Sequence, residues 1–196
     1  MIARAERKQQ TRAELLRAAR AVIGAKGFPA ATARDVAAEA GVAVGTVFLH
    51  FPTMAGLAET LLDETVGQAL DAARRTMPTS GVIDQLVHVS VTLFEAYDAD
   101  PELSRQVVSG SLFEAAPDGP SGRRMEQFRA WVAELVGAAV GAGQIAPIGG
   151  NEAFLGFFAL YFGVVVAGLR GDLDAASRPV LLRSLLNRLL QPTGGR

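Results

Sequence analysis

Cysteine is absent from this chain of 196 residues, and histidine occurs only at positions 50 and 88. The absence of cysteine excludes disulfides, thiolate catalysis and cysteine-based metal sites, and it fits a reducing compartment. His50 and His88 lack the spacing of metal ligands, and there is no phosphate-binding glycine loop, nucleophile elbow or paired-carboxylate motif. These absences predict a protein that is not an enzyme, and they point to no cofactor.

A strong net charge and an apolar leader segment are also missing. The formal charge is −1, so the overall balance predicts no partner. The amino terminus is charged and lacks the apolar core of a signal peptide, which predicts a cytoplasmic protein. Residues 1–60 nevertheless hold eight basic and five acidic side chains, a net charge of +3, and the remainder carries −4. A basic head on an acidic body suits a protein that meets DNA with one end, although a solvated charged face explains the same pattern.

Helical periodicity without a convincing strand predicts an all-α fold of about nine helices. A three-helix head is expected from Arg12 to Phe51, followed by a larger carboxyl-terminal helical bundle. We predict two domains, residues 1–52 for DNA binding and residues 53–196 for ligand binding and dimerisation. A helix from Thr53 to about Arg75 is expected to link them. Residues 1–10 are expected to be disordered until they bind a partner.

The segment from Ala31 to Phe51 contains two short helical patterns separated by Gly41. Thr32 is a suitable N-cap, and glycine adopts the positive φ that often ends a helix. Val42, Val47 and Phe51 are expected to point inward. This arrangement is typical of a helix-turn-helix, whose second helix enters the major groove of DNA. Two alanine-rich helices joined by glycine also occur in bundles that do not bind DNA.

The surroundings of this segment favour the DNA-binding interpretation. From about Leu15 to Leu62 the sequence resembles the TetR family of transcriptional regulators, most clearly at Phe28, Ala31-Thr32, Gly45-Thr46-Val47-Phe48 and His50-Phe51. The resemblance implies phosphate contacts from Thr32, Arg34, Thr46 and His50, and an exposed start of the second helix at Ala43, Val44 and Gly45. The full set of implied DNA-binding residues is Arg12, Thr32, Arg34, Ala43, Val44, Gly45, Thr46, Phe48 and His50.

Two positions depart from the family pattern. The family usually has tyrosine where this chain has Phe48, and lysine where it has Met54, so two phosphate contacts are absent. Ala43 and Val44 can touch thymine methyl groups but cannot hydrogen-bond to bases, which leaves more of the recognition to phosphate geometry and DNA shape. Core packing is an alternative role for Phe48, and capping of its own helix is an alternative for His50.

The segment from Ala153 to Leu169 contains seventeen residues without a charge. A membrane span, a buried core helix and a subunit interface are the three interpretations. The lack of a second such segment and of a signal disfavours the membrane span, so we expect no membrane partner, and a subunit interface is favoured over a buried core helix. Small residues fall on one face of this helix, which allows a second helix to approach closely. With the leucine-rich last helix it can build a dimer across a two-fold axis, as the last two helices do in the TetR family. The predicted interface residues are Gly156, Ala159, Gly163, Ala167, Leu182, Leu185, Leu186 and Leu189.

Large apolar residues in the body are candidates to line a ligand cavity. They are His88, Phe94, Tyr97, Phe113, Phe128, Trp131, Phe158 and Tyr161, and each taken alone also fits an ordinary core. The resulting hypothesis is a homodimeric repressor that binds double-stranded DNA and is released from a palindromic operator by a small apolar or aromatic effector. The alternative is a helical binding module or carrier for apolar molecules that does not bind DNA.

Overall fold

The computed structural model describes residues 2–111 and 120–191. Among these residues there are nine α-helices, one 3-10 helix at Phe28–Ala30 and no β-strand, which confirms the all-α prediction. The α-helices are α1 (Ile2–Lys26), α2 (Ala33–Ala40), α3 (Val44–His50), α4 (Met54–Arg75), α5 (Val82–Asp98), α6 (Pro101–Ser111), α7 (Pro120–Gly141), α8 (Gly150–Arg170) and α9 (Ser177–Leu190).

The first helix is longer than the sequence analysis predicts. It begins at Ile2, whereas residues 1–10 were expected to be disordered, so that expectation is wrong for residues 2–10. The reason is local, because this stretch is built from alanine, arginine, glutamate, lysine and glutamine, which favour helix, and it contains neither glycine nor proline. The basic side chains of Arg7 and Lys8 are exposed on this helix.

The chain forms two compact units, and the first is the head. It comprises the described residues of Met1–Glu64 and Asp100–Phe113. Its core joins the inward stripe of α1 to α2, α3 and the first half of α4, and Leu103 of α6 also belongs to it. The compact head is thus larger than residues 1–52. The functional division at residue 52 stays a prediction.

Two predicted helix starts in the head rest on side-chain caps. The Thr53 hydroxyl accepts a hydrogen bond from the Gly56 backbone N–H at 3.0 Å, which begins α4. Asp100 Oδ1 accepts from the Leu103 backbone N–H at 3.0 Å, with Pro101 at the first helical position of α6. Each cap satisfies a backbone donor that the helix itself leaves unpaired.

The second unit is a helical bundle formed by the described residues of Thr65–Ala99 and Glu114–Arg196. In it, α8 packs against α5, α7 and α9, and the side chains of Phe157, Leu182 and Leu186 are fully buried. Among the described residues, α8 alone is long and apolar enough to cross a membrane. Its packing inside this bundle accounts for much of that apolar character.

A partly buried ion pair ties the end of α5 to the start of α9. Arg178, whose side chain is 7% exposed, donates two hydrogen bonds to the Asp98 carboxylate, which is 37% exposed, at 3.0 and 2.6 Å. Its guanidinium also lies over the ring of Phe94, and its Nε–H is buried without a partner in residues 2–111 and 120–191. Gly168 on α8 leaves room for this side chain, because a Cβ there would come within 2.8 Å of Arg178.

We predict that Asp98→Asn destabilises the bundle by about 2 kcal/mol, because it leaves a buried guanidinium without its counter-charge. The control is Asp172→Asn, which breaks the exposed pair with Arg170 and is expected to cost under about 0.5 kcal/mol. Urea denaturation followed by circular dichroism gives both values. Equal losses in the two variants would show that burial of Arg178 adds nothing to the pair.

Candidate nucleic-acid interface

The start of α2 is held by three side chains. The Thr32 hydroxyl accepts from the Asp35 backbone N–H at 3.2 Å, and the Asp35 carboxylate accepts from the Thr32 backbone N–H at 2.9 Å. This reciprocal arrangement is a capping box. Lys26, at the end of α1, adds an ion pair to Asp35 at 2.6 Å. The bond from Lys26, supported by the bonds from Thr32, lowers the pKa of Asp35 to about 2.

Gly41 makes the turn between α2 and α3. Its φ of 67° is left-handed, and its backbone N–H bonds to the carbonyls of Ala37 and Ala38. The predicted packing beyond the turn is also observed, because Val47 and Phe51 are 1% and 2% exposed. Ala37 is 2% exposed, in agreement with the need for a small residue where these helices cross. The segment is therefore a helix-turn-helix whose second helix has one fixed inward side.

The outward side of α3 is apolar. Ala43, Gly45, Phe48 and Leu49 are exposed, with Phe48 at 48% and Leu49 at 77%. The exposure of Phe48 disfavours core packing as its role. Leu49 is not among the predicted DNA-binding residues. It lies one turn after Gly45 and therefore shares its face of the helix. Val44 is half-buried and packs partly on the head core.

Thr46 and His50 occupy the flank of α3 and are half-buried. Burial lowers the pKa of His50, and the nearby charges of Lys8 and Arg12 lower it further. Both effects favour the neutral ring in the free head, and its Nδ1 atom is buried without a hydrogen-bond partner among the residues that the structure describes. A phosphate contact from this ring would be a hydrogen bond from a neutral imidazole.

Arg12 and Arg34 differ in the contacts that their guanidinium groups already make within the head. The Arg12 guanidinium donates to the His50 carbonyl at 3.1 Å and to the Thr60 hydroxyl at 3.2 Å, and it lies 4.2 Å from the centre of the Phe51 ring. These contacts join α1 to the end of α3 and to α4. Arg34 is exposed and has no hydrogen bond or ion pair within residues 2–111 and 120–191. Arg34 is therefore free to contact phosphate, whereas Arg12 already performs a structural task.

The predicted cavity residues lie mostly in one aromatic cluster of the second unit. Phe128 lies 6.0 to 6.5 Å from the rings of Trp131, Phe154, Phe157 and Tyr161, and Phe94 stacks on Tyr161 at 5.8 Å. Phe158 stacks on Phe154 at 5.6 Å. Phe154 and Phe157 were not in the predicted set, although their helix positions place them beside Phe158 and Tyr161. These rings contact one another as a packed core does.

The three polar candidates, Tyr97, Tyr161 and His88, have different hydrogen-bond partners. The Tyr97 and Tyr161 hydroxyls bond to each other, and burial raises the pKa of both phenols. His88 lies away from the rings, with its Nε2 atom 2.9 Å from the Thr76 hydroxyl. Phe113 lies outside the described residues. None of the described candidates lines the surface cleft of about 220 Å³, which is formed by Gly81, Val82, Ile83, Asp84, Gln144, Ile145, Arg183 and Asn187.

The predicted interface residues divide into inward and outward groups. Leu182 and Leu186 are fully buried in the single chain, so they offer no surface to a partner. Gly156 lies beneath Leu189 of α9, where a Cβ would come within 2.9 Å of the leucine side chain. Its smallness therefore serves packing within the chain. Ala159 and Gly163 are exposed, and Ala167, Leu185 and Leu189 are half-buried.

Large exposed apolar side chains on the same two helices were missed. Leu155 on α8 is 67% exposed, and Val180 and Leu181 on α9 are 70% and 39% exposed. On α8, Leu155 continues the face of Ala159 and Gly163, because the three are spaced four residues apart.

The head matches a known family of DNA-binding proteins. Its geometry defines a helix-turn-helix protein, and residues 15–61 match the family model described as bacterial regulatory proteins, tetR family. Residues 15–61 thus match the TetR family, and the resemblance at Leu15 to Leu62 is confirmed. No curated protein matches the chain.

Solved structures share the fold over nearly the whole chain. A TetR transcriptional regulator from Rhodococcus sp. RHA1 is 20% identical with a TM-score of 0.66, and the match covers 93% of this chain and 97% of that one. GusR from Salmonella enterica is 22% identical with a TM-score of 0.66, covering 93% and 96%. FadR from Bacillus subtilis, solved in complex with stearoyl-CoA, is 18% identical with a TM-score of 0.66, covering 93% and 98%. The fold is thus that of a TetR-family transcriptional regulator.

We predict that Asp35→Asn destabilises the head at pH 7 and that the effect disappears in acid. The folded pKa of about 2 lies below the ordinary value of 3.8, so folding favours the ionised carboxylate. Its contribution is fully present above about pH 4 and is lost as the pH falls through 2. The difference in urea midpoint between the wild type and Asp35→Asn should therefore narrow below pH 4.

The control for this measurement is Glu39→Gln on the same helix. Glu39 is exposed and has no hydrogen bond or ion pair within the described part of the chain, so a small and pH-independent difference is expected. A constant gap between the wild type and Asp35→Asn from pH 5 to pH 2 would contradict the assigned role of the ionised carboxylate.

Proposed function

We propose that the protein is a homodimeric transcriptional repressor that binds a palindromic operator and is released by a small apolar or aromatic effector. The observation that carries the proposal is the capped α2 helix, the Gly41 turn and the exposed outer face of α3, in an amino-terminal segment, residues 1–60, of net charge +3. A helix seated in this way can enter the major groove with its outward side chains. Such a protein works in the cytoplasm, where it meets the chromosome.

Phosphate contact is assigned to side chains beside α3. Exposed Arg34 supplies a cation that no carboxylate in the described part of the chain neutralises, and Thr32 is exposed at the start of α2. Thr46 and His50 on the flank of α3 can donate hydrogen bonds. Phosphate contacts of this kind fix the position of a protein on DNA and provide most of the salt dependence of binding.

A dimer is proposed because one seven-residue helix reaches few base pairs. Two such helices held about 34–36 Å apart would meet successive major grooves on one side of the duplex. The exposed apolar faces of α8 and α9, which include Leu155, Gly163, Val180 and Leu181, support pairing with a second copy. Side chains of this size are costly to leave in water on both helices.

An apolar effector is proposed from the aromatic side chains of the second unit. The Tyr97 and Tyr161 hydroxyls give this region a polar group beside many rings, which suits a largely apolar molecule. The fold match to FadR bound to stearoyl-CoA shows that one protein with this fold takes a ligand with a long acyl chain. The effector needs only to bind more tightly to the conformation that does not fit the operator.

The alternative is a helical carrier for apolar molecules without DNA binding. A gel shift with the DNA that flanks the protein's own coding region separates the two functions. Retarded duplex that is lost in Thr46→Ala and His50→Ala, at unchanged thermal stability, supports the regulator. Binding of apolar molecules without retention of any duplex, including those from a random-sequence selection, would favour the carrier.

We predict that Arg34→Ala weakens binding to all duplexes alike and lowers the slope of log affinity against log salt by about 1, because one phosphate contact is removed. Fluorescence anisotropy at several salt concentrations measures this slope. Arg75→Ala, which removes an exposed arginine from the second unit, should leave the slope unchanged. A loss confined to particular base pairs would show that Arg34 reads bases.

We predict that Leu155→Glu with Val180→Glu converts the dimer to a monomer without unfolding it. Both side chains are exposed in the single chain, so charge there opposes only contact with a partner. Light scattering gives the mass, and circular dichroism checks the fold. Met125→Glu on α7 replaces another exposed apolar side chain and should stay dimeric. A wild type that is monomeric at micromolar concentration would remove the proposed dimer.

A further inference from the structure

The exposed large side chains of α3, Phe48 and Leu49, are apolar. At 100° per residue, Val44, Gly45, Phe48 and Leu49 lie within an arc of about 140° around the helix axis. Val47 faces the core, and the polar residues Thr46 and His50 lie outside this arc. We call Val44, Gly45, Phe48 and Leu49, together with Ala43 before the helix, the apolar face of α3.

We propose that the apolar face of α3 selects DNA by the methyl groups in the major groove. It packs on the C5-methyl group of thymine, and equally on that of 5-methylcytosine, which projects from the same position of a pyrimidine ring. This inference rests on the proposed function and specifies how the same surface chooses its sequence. In this proposal the protein recognises bases directly, through apolar contacts between α3 and the methyl groups.

The chemistry of the major groove supports this assignment. Each base pair presents hydrogen-bond donors and acceptors there, and thymine adds a methyl group. The apolar face has no side-chain donor or acceptor that could recognise the hydrogen-bonding groups of the bases. Phe48 and Leu49 are nevertheless large and exposed, so they gain free energy by covering a methyl group. Methyl groups are therefore the feature that this face can distinguish.

Exposed basic side chains in residues 1–60 identify DNA as the occupant of this face. These residues carry a net charge of +3, although the compact head as a whole is formally neutral, and Arg34 is exposed and unpaired within the described part of the chain. Arg7 and Lys8 are also exposed on α1. A polyanion that offers methyl groups satisfies both the cations and the apolar surface. An apolar partner protein would match the apolar surface but not the cations.

The test uses four versions of one duplex, the tightest 30-base-pair sequence from a random-sequence selection. Each thymine of a half-site is placed in turn in a T·A, U·A, 5-methyl-C·G or C·G pair. Uracil and cytosine lack the methyl group, whereas the change from A to G pairing alters the hydrogen-bonding edges. The set therefore varies the methyl group and the hydrogen-bond pattern independently.

At one or more positions, we expect T·A to bind roughly fourfold tighter than U·A, and 5-methyl-C·G roughly fourfold tighter than C·G, for each methyl group covered. The quantity to be measured is the affinity for the methylated pair divided by the affinity for its unmethylated counterpart, which we call the methyl ratio. Recognition through DNA shape alone predicts no such ratio, because it depends on the base-pair step and its deformability.

Protein variants then assign the ratio to α3. Leu49→Ala, at a position 77% exposed and therefore tolerant of change, should reduce the methyl ratio towards one at the position it covers. Phe48→Ala should do the same at its own position. Arg34→Ala should weaken binding to all four duplexes equally and keep the ratio. Met125→Ala, an exposed apolar change in the second unit, should alter neither quantity.

The outcomes separate this inference from the proposed function. Sequence-specific binding with a methyl ratio near one at every position would overturn methyl recognition and leave the regulator standing. Unchanged affinity of Leu49→Ala and Phe48→Ala for every duplex would also overturn it and would reassign the face to a protein partner. Failure to bind any selected duplex would overturn the proposed function itself.

Discussion

The burial of Val47 and Phe51 in the head core is the constraint on which the proposed DNA-binding surface depends. A helix of seven residues is too short to be stable in water by itself, so its existence and its rotation are both set by packing. With these two side chains buried, Phe48 and Leu49 are left exposed, and Thr46 and His50 lie on the flank. The character of the proposed recognition surface is thus a consequence of which side of α3 the core takes.

The surrounding contacts hold this helix in place from both ends. The capping box of Thr32 and Asp35, reinforced by Lys26, fixes the start of α2, and Gly41 sets the turn. Arg12 fixes the other end through the His50 carbonyl. A binding surface gains precision when neighbouring side chains lock its supports in this way. These polar side chains therefore serve mainly to hold α2 and α3 in position.

The second unit uses its apolar residues in two ways. The rings around Phe128 pack on one another inside the bundle, and the buried Arg178 pairs with Asp98 at its edge. On α8 and α9, by contrast, Leu155 and Val180 remain exposed in the single chain. This contrast is the physical basis for proposing effector binding in the interior and pairing through the outside.

The nine α-helices in the part of the chain that the structure describes, the cap at Thr32, the helix start at Thr53 and the turn at Gly41 were predictable from local sequence. Each depends on residues close in the chain, so periodicity and capping chemistry suffice. The tertiary structure was needed to show that Arg12 already donates hydrogen bonds to the His50 carbonyl and the Thr60 hydroxyl, and that Leu49 faces outward. Hydrogen bonds between distant residues and the choice of the buried face depend on packing across the whole head, which local sequence does not specify.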